Sequence, residues 1–178
     1  TIAQMKALNI YSKRTGDYPC RAFDLNKKEN TMVLGEGASV IALEIGEKNN
    51  ALAYVEGIGY ATEILEHNIS ISTEADCFQK SMQMALKETA FNEVDVVVMH
   101  APGTIKGDVS EYKAIQKVFG ERLPFLTTNK WKLGHTFGTS GMLSLELGIL
   151  MLEYQKAIPI PFYEQESPKQ IRKVLVNA

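Results

Sequence analysis

Two of the chain's three histidines, His100 and His135, sit in loops of small residues where a strand pattern gives way to a helix pattern. The first loop is His100-Ala101-Pro102-Gly103-Thr104-Ile105-Lys106-Gly107-Asp108. The second runs from Thr128 through Asn129-Lys130-Trp131-Lys132-Leu133-Gly134-His135-Thr136-Phe137 to Gly138. A neutral imidazole can move a proton near neutral pH or hold a developing anion by a hydrogen bond. Gly138, Ser140 and Gly141 would let a helix N-terminus come close to a ligand, and that terminus carries free N–H groups and partial positive charge. Both histidines read equally as hydrogen-bonded structural residues at strand ends, and residue types alone leave the two readings open.

Other chemistries have weaker support. No close ligand spacing such as H-x-x-x-H occurs and no third soft ligand lies nearby, so no metal and no cofactor are expected. His67, in the polar run Glu66-His67-Asn68, reads as an exposed loop residue. Cys20 falls in a turn after Asp17-Tyr18-Pro19, and Cys77 falls early in a core helix. Neither has the setting of an activated nucleophile. Lys106, Lys130 and Lys132 make the loop edge locally basic, which suits an anionic substrate or partner.

The elements that must position these loops follow from periodicity. Residues 32–45 and 51–62 are apolar and β-branched on either side of a polar turn, and together they read as a hairpin. Gly35 and Gly37 inside the first run suggest a bulge or a close backbone approach. Thr73 and Glu74 open a helix with the stripe Phe78, Met82, Ala85, Leu86, Thr89. Residues 94–99 form a nearly continuous apolar strand, the mark of burial on both faces. Asp108 with Glu111 resembles a capping box for a helix reaching about Phe119. Residues 124–128 form another strand. Residues 138–155 read as a helix apolar on most of its circumference, and a last strand follows the proline-rich stretch 157–161. This alternation predicts an α/β fold, a largely parallel sheet with helices packed on it. Ligands of such sheets bind beyond the carboxyl ends of the strands, where both histidine loops would emerge.

Composition narrows the class. The chain has 178 residues, 45% hydrophobic and 22% charged, with a net charge of -2. That is enough for one domain with a core. It argues against nucleic-acid binding and offers no segment long enough to cross a bilayer. The unpaired cysteines and the lack of a signal-peptide pattern fit a cytoplasmic home. The chain opens inside an amphipathic pattern (Ile2, Met5, Leu8) and closes on a strand pattern, as expected of a piece of a longer protein.

Three motifs in order resemble the β-ketoacyl-(acyl carrier protein) synthase family. Arg21-Ala22-Phe23-Asp24 with Met32-Val33-Leu34-Gly35-Glu36-Gly37-Ala38 is similar to R-P-F-D…F-V-L-G-E-G-A. His100-Ala101-Pro102-Gly103-Thr104 with Asp108 resembles H-G-T-G-T-x-x-x-D. Asn129-Lys130-Trp131-Lys132-Leu133-Gly134-His135 with Gly138-Thr139-Ser140-Gly141 resembles T-K-S-x-x-G-H-x-x-G-A-A-G. The resemblance implies a thiolase-like fold. Residues 1–178 would be its C-terminal half, a mixed sheet with helices on its faces and the N-terminal half absent. It implies decarboxylative condensation of malonyl-carrier protein with an acyl thioester. His100 and His135 would stabilise the enolate, Lys130 would support the second histidine, and Thr104 would contact the pantetheine arm. It implies acyl carrier protein, bearing phosphopantetheine-linked acyl and malonyl groups, as partner, and a homodimer or heterodimer of the full-length protein.

Departures from the pattern bear on that reading. The family's acylated cysteine belongs to its first half, so the piece alone is expected to be inactive. The family's glycine-rich loop, which supplies an oxyanion-hole N–H, would begin beyond Ala178. Pro102 stands where the family carries a threonine. Ser144 stands where it carries a glutamate, and Glu146 lies about 200° further round an ideal helix. These two changes motivate an alternative, a non-catalytic partner of an active synthase resembling a chain-length factor. A thiolase-type enzyme is a third reading, disfavoured because thiolases use a cysteine base and do not pair two histidines in this way.

Overall fold

The computed structural model describes residues 2–47, 49–64 and 71–178, and of Ile2, Gln4 and Met5 the backbone only. His67, read above as exposed, lies outside the described residues. The helices are α1 (Ile2–Ala7), α2 (Asp76–Ala85), α3 (Ile105–Phe119), α4 (Lys130–Leu133) and α5 (Ser140–Tyr154). The strands are β1 (Val96–Val98), β2 (Phe125–Thr127) and β3 (Val174–Val176).

The three strands form one parallel sheet in the order β2-β1-β3. Val96 stands opposite Phe125 on one side and Val174 on the other. β1 is therefore central, and its valines are fully buried. Successive side chains of a strand point to opposite faces. Val97 joins Leu126, Ile115 and Met82 in the core under α2 and α3. Val96 and Val98 join Phe125 and Met151 in the core under α5. Each such valine contributes about 1.5–3 kcal/mol on burial, so the continuous apolar run is what fixes β1 between two helical layers.

α5 is less buried than its sequence suggests. Its fully buried residues are Ser140, Ser144, Gly148 and Met151, spaced four, four and three apart on one face. A Cβ on Gly148 would stand 3.2 Å from Val174 Cγ1, so a small residue lets the helix lie close on β3. Its leucines are half-buried and Leu150 is exposed, because described protein packs against one side of α5 only.

The expected hairpin does not form. Residues 32–45 and 51–62 share no ladder. The first run instead makes single parallel bridges from Met32 to Tyr11 and from Leu34 to His135. Met32 donates to the Ile10 carbonyl at 3.2 Å, and His135 N donates to the Val33 carbonyl at 2.7 Å. The second run lies on α2 instead. Gly57 and Gly59 bring its backbone against the carbonyls of Ala85 and Ser81, closer than a Cβ would allow. The described residues of 40–64 leave large apolar side chains exposed, among them Ile45, Ile58 and Ile64.

Gly35 makes the close approach expected of it. Its N donates to the His135 carbonyl at 3.1 Å, and a Cβ there would be driven into the Leu133 carbonyl. That obstacle is backbone and cannot rotate away. Gly35→Ala is expected to lower stability by about 1–3 kcal/mol in urea denaturation. A melt unchanged from the parent would contradict this packing. Among the described residues no helix is long and apolar enough to cross a membrane.

Candidate functional site

β1 and β2 end side by side in a parallel sheet, so their following loops leave from one edge. The first loop carries His100 and the second His135. The two imidazoles meet with ring centroids 5.1 Å apart and planes at 80°. The structure thus brings together the two histidines that the sequence singled out. A cavity of about 400 Å³ opens at His100, walled by Phe78, Pro102, Thr104 and Phe137.

The His100 loop is held from beneath by two carboxylates of α3. Glu111 accepts from His100 N at 2.8 Å and from Ala101 N at 2.7 Å, one bond to each oxygen. It also accepts from Asn177 Nδ2 at 3.0 Å, beyond β3. Asp108 accepts from Gly103 N at 2.9 Å and from Phe23 N at 2.7 Å, and pairs with Lys27 at 2.5 Å. Ala101 sits at φ 31, a left-handed conformation that costs about 1–3 kcal/mol. The bond from Ala101 N to Glu111 helps hold it there. Burial pushes the Glu111 carboxyl up to about 7, against the donors that pull it down.

Asp108 and Glu111 are thus not the capping box the sequence suggested. Thr104 is the N-cap of α3, and its side chain accepts from Gly107 N at 3.2 Å. The carboxylates are free to turn inward because the hydroxyl of Thr104 already serves the helix end. The sequence did carry a signal for this. Positions 108, 111, 115 and 118 follow one helical stripe, so both acids share a face with the buried Ile115 and Val118.

His135 is fixed by its own loop. Phe137 N donates to its Nδ1 at 3.0 Å, with Phe137 held at φ 50. The Ser140 hydroxyl lies 3.2 Å from the same nitrogen. Since a backbone N–H can only donate, Nδ1 carries a lone pair and the neutral ring has its proton on Nε2. That leaves His135 an N–H to offer.

Lys130, the first residue of α4, is 1% exposed. Its Nζ reaches Asn129 Oδ1 at 3.3 Å and Ser144 Oγ at 3.5 Å. Among the described residues no carboxylate comes within ion-pair distance of it. Ser144 therefore faces the lysine, while Glu146 points to solvent. Burial lowers the Lys130 pKa, and the negative charge of Glu111 opposes that shift.

Burial, then Lys130, then His135 lower the His100 pKa to about 3. Burial, then Lys130, lower that of His135. Both rings are neutral at physiological pH. An NMR titration is expected to find His100 neutral down to roughly pH 4, against a free value near 6.5. Because the unfolded chain binds a proton there that folded His100 refuses, this group's effect is to lower stability as pH falls from about 6.5 toward 3. A His100 that protonates near pH 6 would contradict the buried geometry.

The arrangement sets a neutral imidazole, His100, in the wall of a cavity with the Nε2–H-bearing His135 ring against it, which suits an oxygen that gains negative charge during reaction. Neither cysteine competes for the site. Burial raises the pKa of Cys20, and burial then Glu63 raise that of Cys77, the reverse of an activated thiol. Among the described residues no group of His, Cys, Asp or Glu is placed to hold a metal ion.

The family profile described as "Beta-ketoacyl synthase, C-terminal domain" matches residues 52–163. The 3-oxoacyl-(acyl-carrier-protein) synthase 1 of Haemophilus influenzae is 28% identical over 151 residues, covering 84% of this chain and 36% of that protein. Among solved structures, the ishigamide ketosynthase/chain length factor covers 98% of this chain and 43% of its own, with TM-score 0.68 and 21% identity. A type II polyketide synthase acyl-carrier protein in complex with its ketosynthase covers 98% of this chain and 45% of its own, with TM-score 0.74 and 18% identity. The chain spans less than half the length of these relatives, and the structural likenesses show a shared thiolase-like fold.

Proposed function

The chain belongs to the β-ketoacyl synthase family as its C-terminal domain, and from that premise we propose that it supplies the enolate-stabilising histidines of a 3-oxoacyl-(acyl carrier protein) synthase. The observation that supports this reading is the meeting of two neutral imidazoles, His135 and the cavity-lining His100. In the reaction the bond between the malonyl carboxylate and its α-carbon breaks and carbon dioxide leaves. The electron pair moves onto the thioester oxygen as an enolate, which takes hydrogen bonds from the imidazoles. The α-carbon then attacks the carbonyl of an acyl thioester, and the thiolate of that thioester departs. A neutral donor suits this sequence, since an imidazolium would protonate and quench the carbanion.

Lys130 biases the pair toward neutrality by its charge, and Thr104 borders the path of the pantetheine arm. The substrates are acyl and malonyl groups on acyl carrier protein, whose acidic character suits Lys106 and Lys132 at the loop edge. The exposed apolar side chains among the described residues of 40–64, such as Ile45 and Ile58, form the face that further protein covers, either the remainder of the longer chain or a dimer partner. The nucleophilic cysteine comes from that remainder.

The test is carbon dioxide release from malonyl-carrier protein by the full-length protein, followed by 3-oxoacyl product. Absence of both would overturn this reading. One observation favours a second, a non-catalytic partner of an active synthase: Lys130 faces Ser144, and among the described residues no carboxylate pairs with it. A protein that releases no carbon dioxide itself, yet changes product length when paired with an active synthase, would establish that second reading.

A further inference from the structure

We propose that Ser140 is a positioning residue whose hydroxyl donates to His135 Nδ1 and holds that ring as the Nε2–H tautomer. The direction of each bond from a backbone N–H follows from donor identity. Phe137 N can only donate, so Nδ1 is an acceptor. Ser140 Oγ, 3.2 Å away, can bond to an acceptor only by giving it the hydroxyl proton. That single proton is then committed, and the oxygen must accept from its other neighbours. Thr136 N donates to it at 3.2 Å, and Thr136 Oγ1 lies 3.3 Å away with a proton to give. Ser140 is 4% exposed, so water does not compete for these bonds. It is also the first residue of α5, so the helix fixes where the hydroxyl stands.

The motif that this segment resembles carries alanine at this place. Nδ1 has a single lone pair, which the two donors share, and together they oppose its protonation more strongly than one does. Ser140 therefore acts in the same direction as burial and as Lys130 of α4, the cation that lowers the His135 pKa. His100, from the loop after β1, is the titratable ring in contact with His135 and is itself neutral. The consequence for reaction, a ring that offers Nε2–H and holds no spare proton, rests on the enolate reading given above. The tautomer itself does not.

The test is ¹⁵N NMR of histidine-labelled full-length protein, with His135 assigned by loss of its signals in His135→Gln. In the parent protein Nδ1 is expected to be unprotonated and hydrogen-bonded, with the proton on Nε2. Ser140→Ala is expected to let His135 protonate at about tenfold lower acid concentration, the effect of losing one hydrogen bond. Ser140→Thr, which keeps the hydroxyl, is expected to stay near the parent. A parent ring protonated on Nδ1, or a Ser140→Ala protein with unchanged tautomer and titration, would overturn the inference. Should the NMR behave as expected while no carbon dioxide is released, the catalytic reading fails and the role of Ser140 stands.

Discussion

Replacing His135 by alanine in the full-length protein is expected to slow decarboxylation of malonyl-carrier protein by about 10²–10³-fold, the usual effect of removing one donor to a developing oxyanion. The side chain is half-buried and makes its polar contacts within its own loop, to Phe137 N and Ser140 Oγ. Its loss frees the Phe137 N–H near solvent and the buried Ser140 hydroxyl, which can turn to Thr136 Oγ1, so the fold should survive. Carbon dioxide release and thermal melting measured together separate the two effects. A large fall in rate with a melt near the parent's is the expected pair. Asparagine at 135 keeps a neutral N–H donor and should recover part of the rate, whereas a role confined to packing would rank the variants by size. Undiminished carbon dioxide release from His135→Ala would remove His135 from the chemistry.

The sequence made the site legible where chemistry and period coincide. The run Val96-Val97-Val98 could only be a strand covered on both faces, and it is. Two histidines following apolar strands would emerge on one edge of a parallel sheet; the sheet is parallel, and their rings meet there. What failed was the choice of partner for particular segments and side chains. The segments around Leu34 and Ile58 have strand-forming residues, but tertiary packing decided what their backbones pair with. Gly35 sits against the His135 loop, and Gly57 and Gly59 sit against α2. Asp108 and Glu111 fitted a capping box by spacing, yet the cap is Thr104, and only the fold shows which donors the two acids serve. The circumference of α5 carries leucines all round, but Ser144 and Gly148 are the residues that touch the sheet side. Apolar content alone could not reveal that a small-residue face permits the closest approach.

Glu111 is the residue whose removal should cost the fold most. Its carboxylate is fully enclosed and takes three N–H donors, from His100, Ala101 and Asn177. These come from the end of β1, its following loop and the residue after β3, so one side chain on α3 joins three parts of the sheet edge. Each buried donor left without a partner costs about 1–3 kcal/mol. Glu111→Ala strands all three and is expected to lose at least about 3 kcal/mol, a large part of a typical total of about 5–15 kcal/mol. It also relaxes Ala101 from its left-handed conformation and so lets the His100 ring drift from His135. Glu111→Gln keeps one acceptor oxygen but turns an amide N–H₂ toward a backbone N–H, so it should fall between alanine and the parent. Urea denaturation of the full-length protein and its variants measures this order. The two-state slope should stay unchanged, so that a shifted midpoint reports stability. A Glu111→Ala protein within about 1 kcal/mol of the parent would mean that other groups or water satisfy those donors. The carboxylate would then not be what holds the histidine loop in place.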